Sequence, residues 1–368
     1  MNGSRNSSKD PGVILILVIA ITAVILVFLE GISSLAMGIS SVLEGHKSYQ
    51  DYHEVIGWTG RKNTNYPDFF GPDKYVNING QGFREDSDTP LAEPQGSARI
   101  ICSGNSFTFG QGVANDETWC HQLRDYLPGI DTVNLGQSGY GVDQSYLWYM
   151  EAGQKLQHRV HVFAFISADL DRMSVTEKWN TGKPILRLRD NEIEIANVPV
   201  PRFKYWLTRK ARAADLRMVE LGDRILTRLL RLGSPDSPLQ AVPDRTRKAV
   251  PESTRKVARR VFEELVKAGT TAGRSILFVY LPTEKDIAGN LAWRNWTREV
   301  MAELHYPFVD ITPAMRQLPA GRVAGFFIDG GVDEGHYTYA GNRWIAENIS
   351  RELEKNYSSI LSPVGSNR

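Results

Sequence analysis

The sequence predicts an α/β protein, a doubly wound α/β/α sandwich with about five parallel strands, preceded by one N-terminal transmembrane helix. Three observations carry this. From residue 98 onward, short apolar runs of strand character alternate with segments of helical period. The first two of these runs end in small residues, Ser103-Gly104 after one and Gly136 after the next. Ahead of them, residues 11–29 contain no charged side chain.

Residues 1–10 form a polar tail with Arg5 and Lys9. A spanning helix needs ~20 apolar residues. Residues 11–29 supply most of them and 31–42 stay mostly apolar, so an anchor over 11–43 is expected. Basic residues before it, and Glu30 and Glu44 after it, place the N-terminus in the cytoplasm and the remaining chain outside. Ser34-Leu-Ala36 has the small-x-small form of a signal cleavage site. The apolar run is longer than the ~7–15 residues of a signal h-region, so an uncleaved anchor is preferred. Residues 44–97 are aromatic and turn-rich, with Ile56-Gly-Trp58, Tyr66-Pro-Asp-Phe-Phe70 and Asn77 to Arg84. They lack helical period and are expected to wrap the following domain, with 90–96 as linker.

Strands are expected at 99–102, 132–135, 160–166, 275–281 and 307–311, with helices at 117–126, 143–156, 252–268, 290–304 and 339–354. Strands alternating with helices imply right-handed crossovers and a parallel sheet covered on both faces. Residues 173–250 interrupt the alternation as an insertion. Its 185–195 portion alternates apolar and charged residues around Asp190-Asn191, a hairpin pattern. Residues 202–231 read as a basic helix with Arg209, Lys210, Arg212, Arg217, Arg224, Arg228 and Arg231, a solvated face that can also meet anionic lipid headgroups. The proline-rich 233–244 reads as loop, and 358–368 as a flexible tail.

The composition sets limits. A net charge of +1 argues against a polyanion-binding surface, and nucleic acid is a poor partner for an exported domain. Cys102 and Cys120 can form one disulfide in an oxidising compartment, although buried free thiols are preferred. His158-x-x-His161 has ligand-like spacing, but on a strand those side chains point to opposite faces, so both are read as structural. No HExxH, phosphate-binding glycine-rich motif or zinc pattern occurs, so neither metal nor cofactor is expected.

The chemistry concentrates in two stretches. In 98–113, a strand breaks into Ser103-Gly104-Asn-Ser106, with Gly110 and Gly112 behind it. A serine hydroxyl needs a base, and Asp333-Glu-Gly-His336 offers an imidazole beside an acid. Gly104-Asn-Ser106 followed by Phe-Thr-Phe-Gly resembles the nucleophile block of the SGNH (GDSL-type) esterase and acyltransferase superfamily. Val133-Asn-Leu-Gly136-Gln-Ser-Gly139 resembles its second block, and Asp333-x-x-His336 its last. The resemblance covers about residues 56–353 and implies a flavodoxin-like hydrolase domain over 98–357. It assigns a triad of Ser106, His336 and Asp333, an oxyanion hole from the N–H groups of Ser106 and Gly136, and membrane-bound O-acyl chemistry on a cell-envelope or extracellular glycan. Other membrane-bound polysaccharide-assembly proteins are partners it suggests. Two positions depart from the pattern: Asn105 replaces the aspartate before the serine, and Ala168 stands where an asparagine usually faces the oxyanion. Ser167 or a nearby backbone N–H is a substitute donor. The alternative is a catalytically impaired relative that binds glycan or scaffolds an assembly complex. The aromatic residues Trp58, Tyr66, Phe69 and Phe70 could form a sugar platform, although core packing is their commoner role.

Overall fold

Five segments pair side by side in parallel, four of them buried along nearly their whole length and the edge segment Phe308–Asp310 half-buried. Strands covered on both faces read as continuous apolar runs, which is why these stretches stand out in the sequence. The computed structural model describes residues 11–45, 49–178, 181–201, 218, 221–222, 251–289, 292–331, 333 and 335–361.

The helix α1, Pro11–Gly45, belongs to one compact unit and the sheet to another, Tyr49–Phe203 with Lys248–Arg368. Residues Pro11–Ala36 of α1 are long and apolar enough to cross a membrane. Their large side chains, from Val13 to Leu35, are exposed, as a lipid-facing helix requires. The basic segment 202–231 and the loop 233–244 lie almost wholly outside the described residues.

The second unit opens with two antiparallel ribbons, β1 (Gln50–His53) with β2 (Gly57–Gly60), and β3 (Thr64–Tyr66) with β4 (Val76–Ile78). Then follow β5 (Ala98–Ser103), the one-turn α2 (Ser106–Phe109), α3 (Trp119–Tyr126), β6 (Ile130–Asn134) and α4 (Val142–Glu151). After β7 (Val160–Phe165) and α5 (Ser167–Arg172) come two hairpins: β8 (Glu177–Lys178) with β9 (Thr181–Gly182), and β10 (Ile185–Arg189) with β11 (Glu192–Ala196). The turn of the second hairpin is Asp190-Asn191, both at positive φ. The chain returns through the helix Glu252–Thr271, β12 (Ser275–Tyr280), the helix Ala292–Leu304, β13 (Phe308–Asp310) and the terminal helix Tyr339–Leu361.

The strand order is β13-β12-β7-β5-β6. The first strand in sequence is thus flanked by the second on one side and the third on the other. In such a sheet the chain's direction of winding reverses between β5 and β7, and the crevice beyond their carboxyl ends is where ligands bind. The turn that bears Ser106 follows β5 and the segment containing Ala168 follows β7, so both open onto that crevice.

Side-chain alternation divides the core into two layers. Ile101, Phe163, Phe165, Phe278 and Tyr280 pack with Val261, Phe262 and Leu265 of the helix Glu252–Thr271. Ile100, Cys102, Val162, Ala164 and Val279 face Trp119, Leu123, Ile345 and Leu353. In that second layer Cys102 and Cys120 are joined as a disulfide between β5 and α3, which corrects the free-thiol reading. Two adjacent buried cysteines on elements packed against each other bring their sulfurs together, which a linear separation of 18 residues cannot reveal.

Candidate active site

Gly104 ends β5 because nothing larger fits. A Cβ there would lie 2.2 Å from Thr108 Oγ1 and 2.5 Å from the Ala164 carbonyl. Asn105 is the N-cap of α2, and its Oδ1 accepts from Phe107 N at 2.8 Å. Its Nδ2 donates to both oxygens of Asp169, at 2.8 and 2.7 Å. Asp169 is buried, also accepts from Ile166 N at 3.0 Å and pairs with Arg172. Burial pushes its carboxyl above the usual range, while Arg172 and the Asn105 amide oppose that shift. The residue beside the serine thus ties the turn after β5 to the turn after β7.

Ser106 begins α2, almost fully buried, with Oγ 2.8 Å from His336 Nε2. His336 Nδ1 is 3.0 Å from the main-chain carbonyl of Asp333. A carbonyl only accepts, so in neutral His336 the proton resides on Nδ1 and the Nε2 lone pair faces the serine hydroxyl. That is the tautomer a general base needs. The ring lies over Phe107, with centroids 4.8 Å apart. Burial lowers the His336 pKa, the Asp333 carbonyl and carboxylate raise it, and Arg172 and Lys178 lower it.

The structure brings Ser106, His336 and Asp333 together, but by a different atom of Asp333 than the sequence suggests. The Asp333 carboxylate accepts from Gln111 Nε2 at 2.9 Å, and the peptide carbonyl orients the imidazole. The His336 amide also donates to the Asp333 carbonyl, at 3.1 Å, so the same turn brings that carbonyl beside the ring.

The expected oxyanion donors are redistributed as well. Gly136 N donates to Asn134 Oδ1 at 2.9 Å, and Asn134 Nδ2 donates to the Thr108 carbonyl at 2.8 Å, so this amide closes a turn. Gly136 is needed for close approach: a Cβ there would lie 2.2 Å from Phe109 N. Ser167 is also engaged. The single proton of Tyr280 goes to Asp286 at 2.7 Å, so the Ser167 hydroxyl must donate to Tyr280, at 2.6 Å. Ala168 packs partly buried against the second core layer. Several amides of the turns after β5, β6 and β7 remain: among the described residues, the N–H groups of Ser106, Ser138, Gly139, Ser167 and Ala168 make no hydrogen bond, and Ser106 N and Gly139 N are taken as the candidate donors. Gly139 is buried at φ +83°, in the loop whose Ser138 contacts Gln111. A buried N–H without a partner is rare and points to a ligand atom. The signal in the sequence was the second glycine of Gly136-Gln-Ser-Gly139.

Arg84 is a further residue that the sequence did not single out. It is buried and, among the described residues, forms no ion pair with a carboxylate. Its guanidinium donates to the carbonyls of Phe109, Gly110 and Val113 and to Asn115 Oδ1. Burial lowers its pKa to about 10. It clamps the loop behind the nucleophile helix.

The remaining candidates are structural. His158 precedes β7, so strand alternation does not separate it from His161. Both rings contact Tyr149, and His161 Nε2 lies 2.8 Å from Ser103 Oγ. Trp58 is buried and donates to the Ser138 carbonyl at 2.9 Å, while the half-buried Phe69 and Phe70 pack on Tyr49 and the half-buried Tyr66 packs on Phe69.

Comparison with known proteins gives likenesses at the level of solved structures. No family model matches the sequence, and no curated protein matches it. The chain is similar to a member of the lipolytic protein G-D-S-L family from Veillonella parvula (11% identity, 71% of this chain and 99% of that chain, TM-score 0.37). It is similar to a lipase/acylhydrolase from Enterococcus faecalis (12% identity, 70% and 96%, TM-score 0.38). A Geobacillus acetyl-xylooligosaccharide esterase, as a mutant, is a third such structure (13% identity, 72% and 96%, TM-score 0.39).

Proposed function

We propose that this chain is a serine-dependent esterase or O-acyltransferase, held at the membrane by α1, that acts on acyl groups of an envelope or extracellular glycan. The observation that carries this reading is the 2.8 Å contact between Ser106 Oγ and the unprotonated Nε2 of His336, at the sheet's switch point. In the reaction, His336 takes the hydroxyl proton as Ser106 Oγ attacks the ester carbonyl. The oxyanion accepts from Ser106 N and Gly139 N. His336 returns the proton to the departing alcohol oxygen, leaving an acyl-serine. Water or a glycan hydroxyl then attacks, again losing its proton to His336, and restores Ser106. The disulfide between Cys102 and Cys120 supports an oxidising compartment outside the cytoplasm for this unit, in keeping with an N-terminus inside.

A second reading is a glycan-binding scaffold that has lost turnover, favoured by the engagement of Gly136 N and the Ser167 hydroxyl elsewhere. A fluorophosphonate probe separates the two. It should label the full chain at Ser106, and both labelling and turnover of small acetyl esters should vanish in Ser106→Ala and His336→Ala. No labelling of the wild type would favour the scaffold.

A further inference from the structure

The Asp333 carboxylate stands at the end of a hydrogen-bonded chain that the proposed reaction does not use. Tyr49 OH donates to Ser138 Oγ at 2.7 Å, Ser138 Oγ donates to Gln111 Oε1 at 3.1 Å, and Gln111 Nε2 donates to Asp333 Oδ1 at 2.9 Å. Each link has one direction only. A carboxylate accepts, so the Gln111 amide must present its nitrogen to Asp333 and its oxygen to Ser138. Ser138 is fixed in turn, since its carbonyl accepts from Gln50 Nε2 and Trp58 Nε1 at 3.0 and 2.9 Å. Tyr49 is stacked on Phe109, with centroids 4.7 Å apart, and burial pushes its phenol up to about 12, so it remains a donor. The Gln111–Gly112 backbone is packed against the loop that bears Asp333. A Cβ on Gly112 would lie 2.2 Å from Ile328 Cδ1 and 3.4 Å from Asp333 Cβ.

We propose that Gln111 is a positioning residue that holds the Asp333 carboxylate away from the His336 imidazole, leaving the Asp333 carbonyl as the partner of Nδ1. This rests on the reading of His336 as the general base. Asp333 then acts on His336 through space, with a weaker pull on its proton than a direct carboxylate bond gives. The base stays neutral to lower pH, and only the tautomer is dictated by the peptide carbonyl. Among the described residues, the other charged groups around the ring are Arg172 on α5 and Lys178 on β8, both unfavourable to imidazolium, and Glu284, whose carboxylate borders Gly335. The chain also ends on Tyr49, in the first residues after the anchor, so the setting of the base depends on that segment.

The test is a titration of the His336 ring nitrogens by NMR in the full chain, in detergent, with 15N-histidine and His336→Gln to assign the signal. Gln111→Met keeps the side chain's length and removes its amide. The carboxylate released from Gln111 should then turn to Nδ1–H, and the titration midpoint should rise by about one pH unit. In an Asp333→Asn background the same substitution should produce no rise. Should Gln111→Met fail to fold, Ser138→Ala removes the hydroxyl that fixes the amide and should raise the midpoint in the same way. An unchanged or lowered midpoint in the folded variant overturns the proposal, as does a rise that persists in the Asp333→Asn background. The titration requires no turnover, so a chain without esterase activity still decides the matter, and the probe experiment above stands or falls separately.

Discussion

Asn105→Asp tests the account of the nucleophile turn. It exchanges the amide that donates to both Asp169 oxygens for a second carboxylate at the same place, in a fully buried site. Two like charges 2.8 Å apart repel by about 6 kcal/mol at an effective dielectric of ~20. That exceeds the cost of keeping one proton on the pair at neutral pH, so the pair stays singly protonated. Relative to an unfolded aspartate of pKa about 3.9, holding that proton costs about 1.5 kcal/mol at pH 5 and about 4 kcal/mol at pH 7. The sign follows from proton uptake: the folded variant binds more protons than the unfolded chain, so its stability falls as pH rises. Chemical unfolding of the full chain in detergent, wild type against variant, should show a deficit that grows by about 2–3 kcal/mol between pH 5 and 7. A deficit that is constant across that range, or absent, would refute the claim that Asn105 is matched to Asp169.

Two further outcomes follow from the site. Gly136→Ala would force the nucleophile helix away from its present position, because the new Cβ would lie 2.2 Å from Phe109 N. The rate of Ser106 labelling should drop by about 100-fold, as expected for a displaced reacting group, while Gly289→Ala, with nothing within 4 Å, should leave it unchanged. The acid limb of the pH–rate profile reports protonation of His336. Since burial lowers its pKa, the wild-type rate should hold to below the ordinary histidine value of about 6.5 and fall only at more acid pH, and a limb at or above that value would contradict the assignment.

The five sheet strands were legible in the sequence because strands covered on both faces carry unbroken apolar runs, such as Val160–Phe165 and Ser275–Tyr280. The long helices announced themselves by period. Val257, Ala258, Val261, Phe262 and Leu265 mark the buried face of Glu252–Thr271. The one-turn helices, such as α2 and Thr312–Arg316, are too short for periodicity to register, and the ribbons β1–β4 have strands of three or four residues. At the site, Ser106 and His336 were readable as residue types in the right kind of turn. Which atom of Asp333 meets the imidazole was not, because the carboxylate is engaged by Gln111, 222 positions away in the chain, while the carbonyl lies in the same turn as the ring. The same holds for Gly136 and Ser167. Their donor groups exist in the sequence, but only the fold reveals that Asn134 and Tyr280 take part in engaging them.

Two departures from the motif pattern that the sequence resembles, Asn105 and Ala168, invite the idea of a decaying site, and the structure weighs against treating them alike. Asn105 makes three hydrogen bonds, capping α2 and bridging to Asp169, so an amide is the better chemical match there. A site released from constraint would not be expected to retain such a match at its nucleophile. Ala168 does remove a side-chain donor, a loss worth about 3 kcal/mol of transition-state stabilisation where such a donor is used. The proposed donors that remain are the amides of Ser106 and Gly139, held by backbone: one beside the Asn105 cap, the other at a left-handed glycine in a loop held through Ser138. Backbone donors are pre-organised and require no rotamer to be frozen, so under the proposed function a site built on them is expected to support acyl chemistry at a reduced rate. Reduced turnover with an intact Ser106–His336 contact is therefore the outcome that this arrangement of residues favours over none.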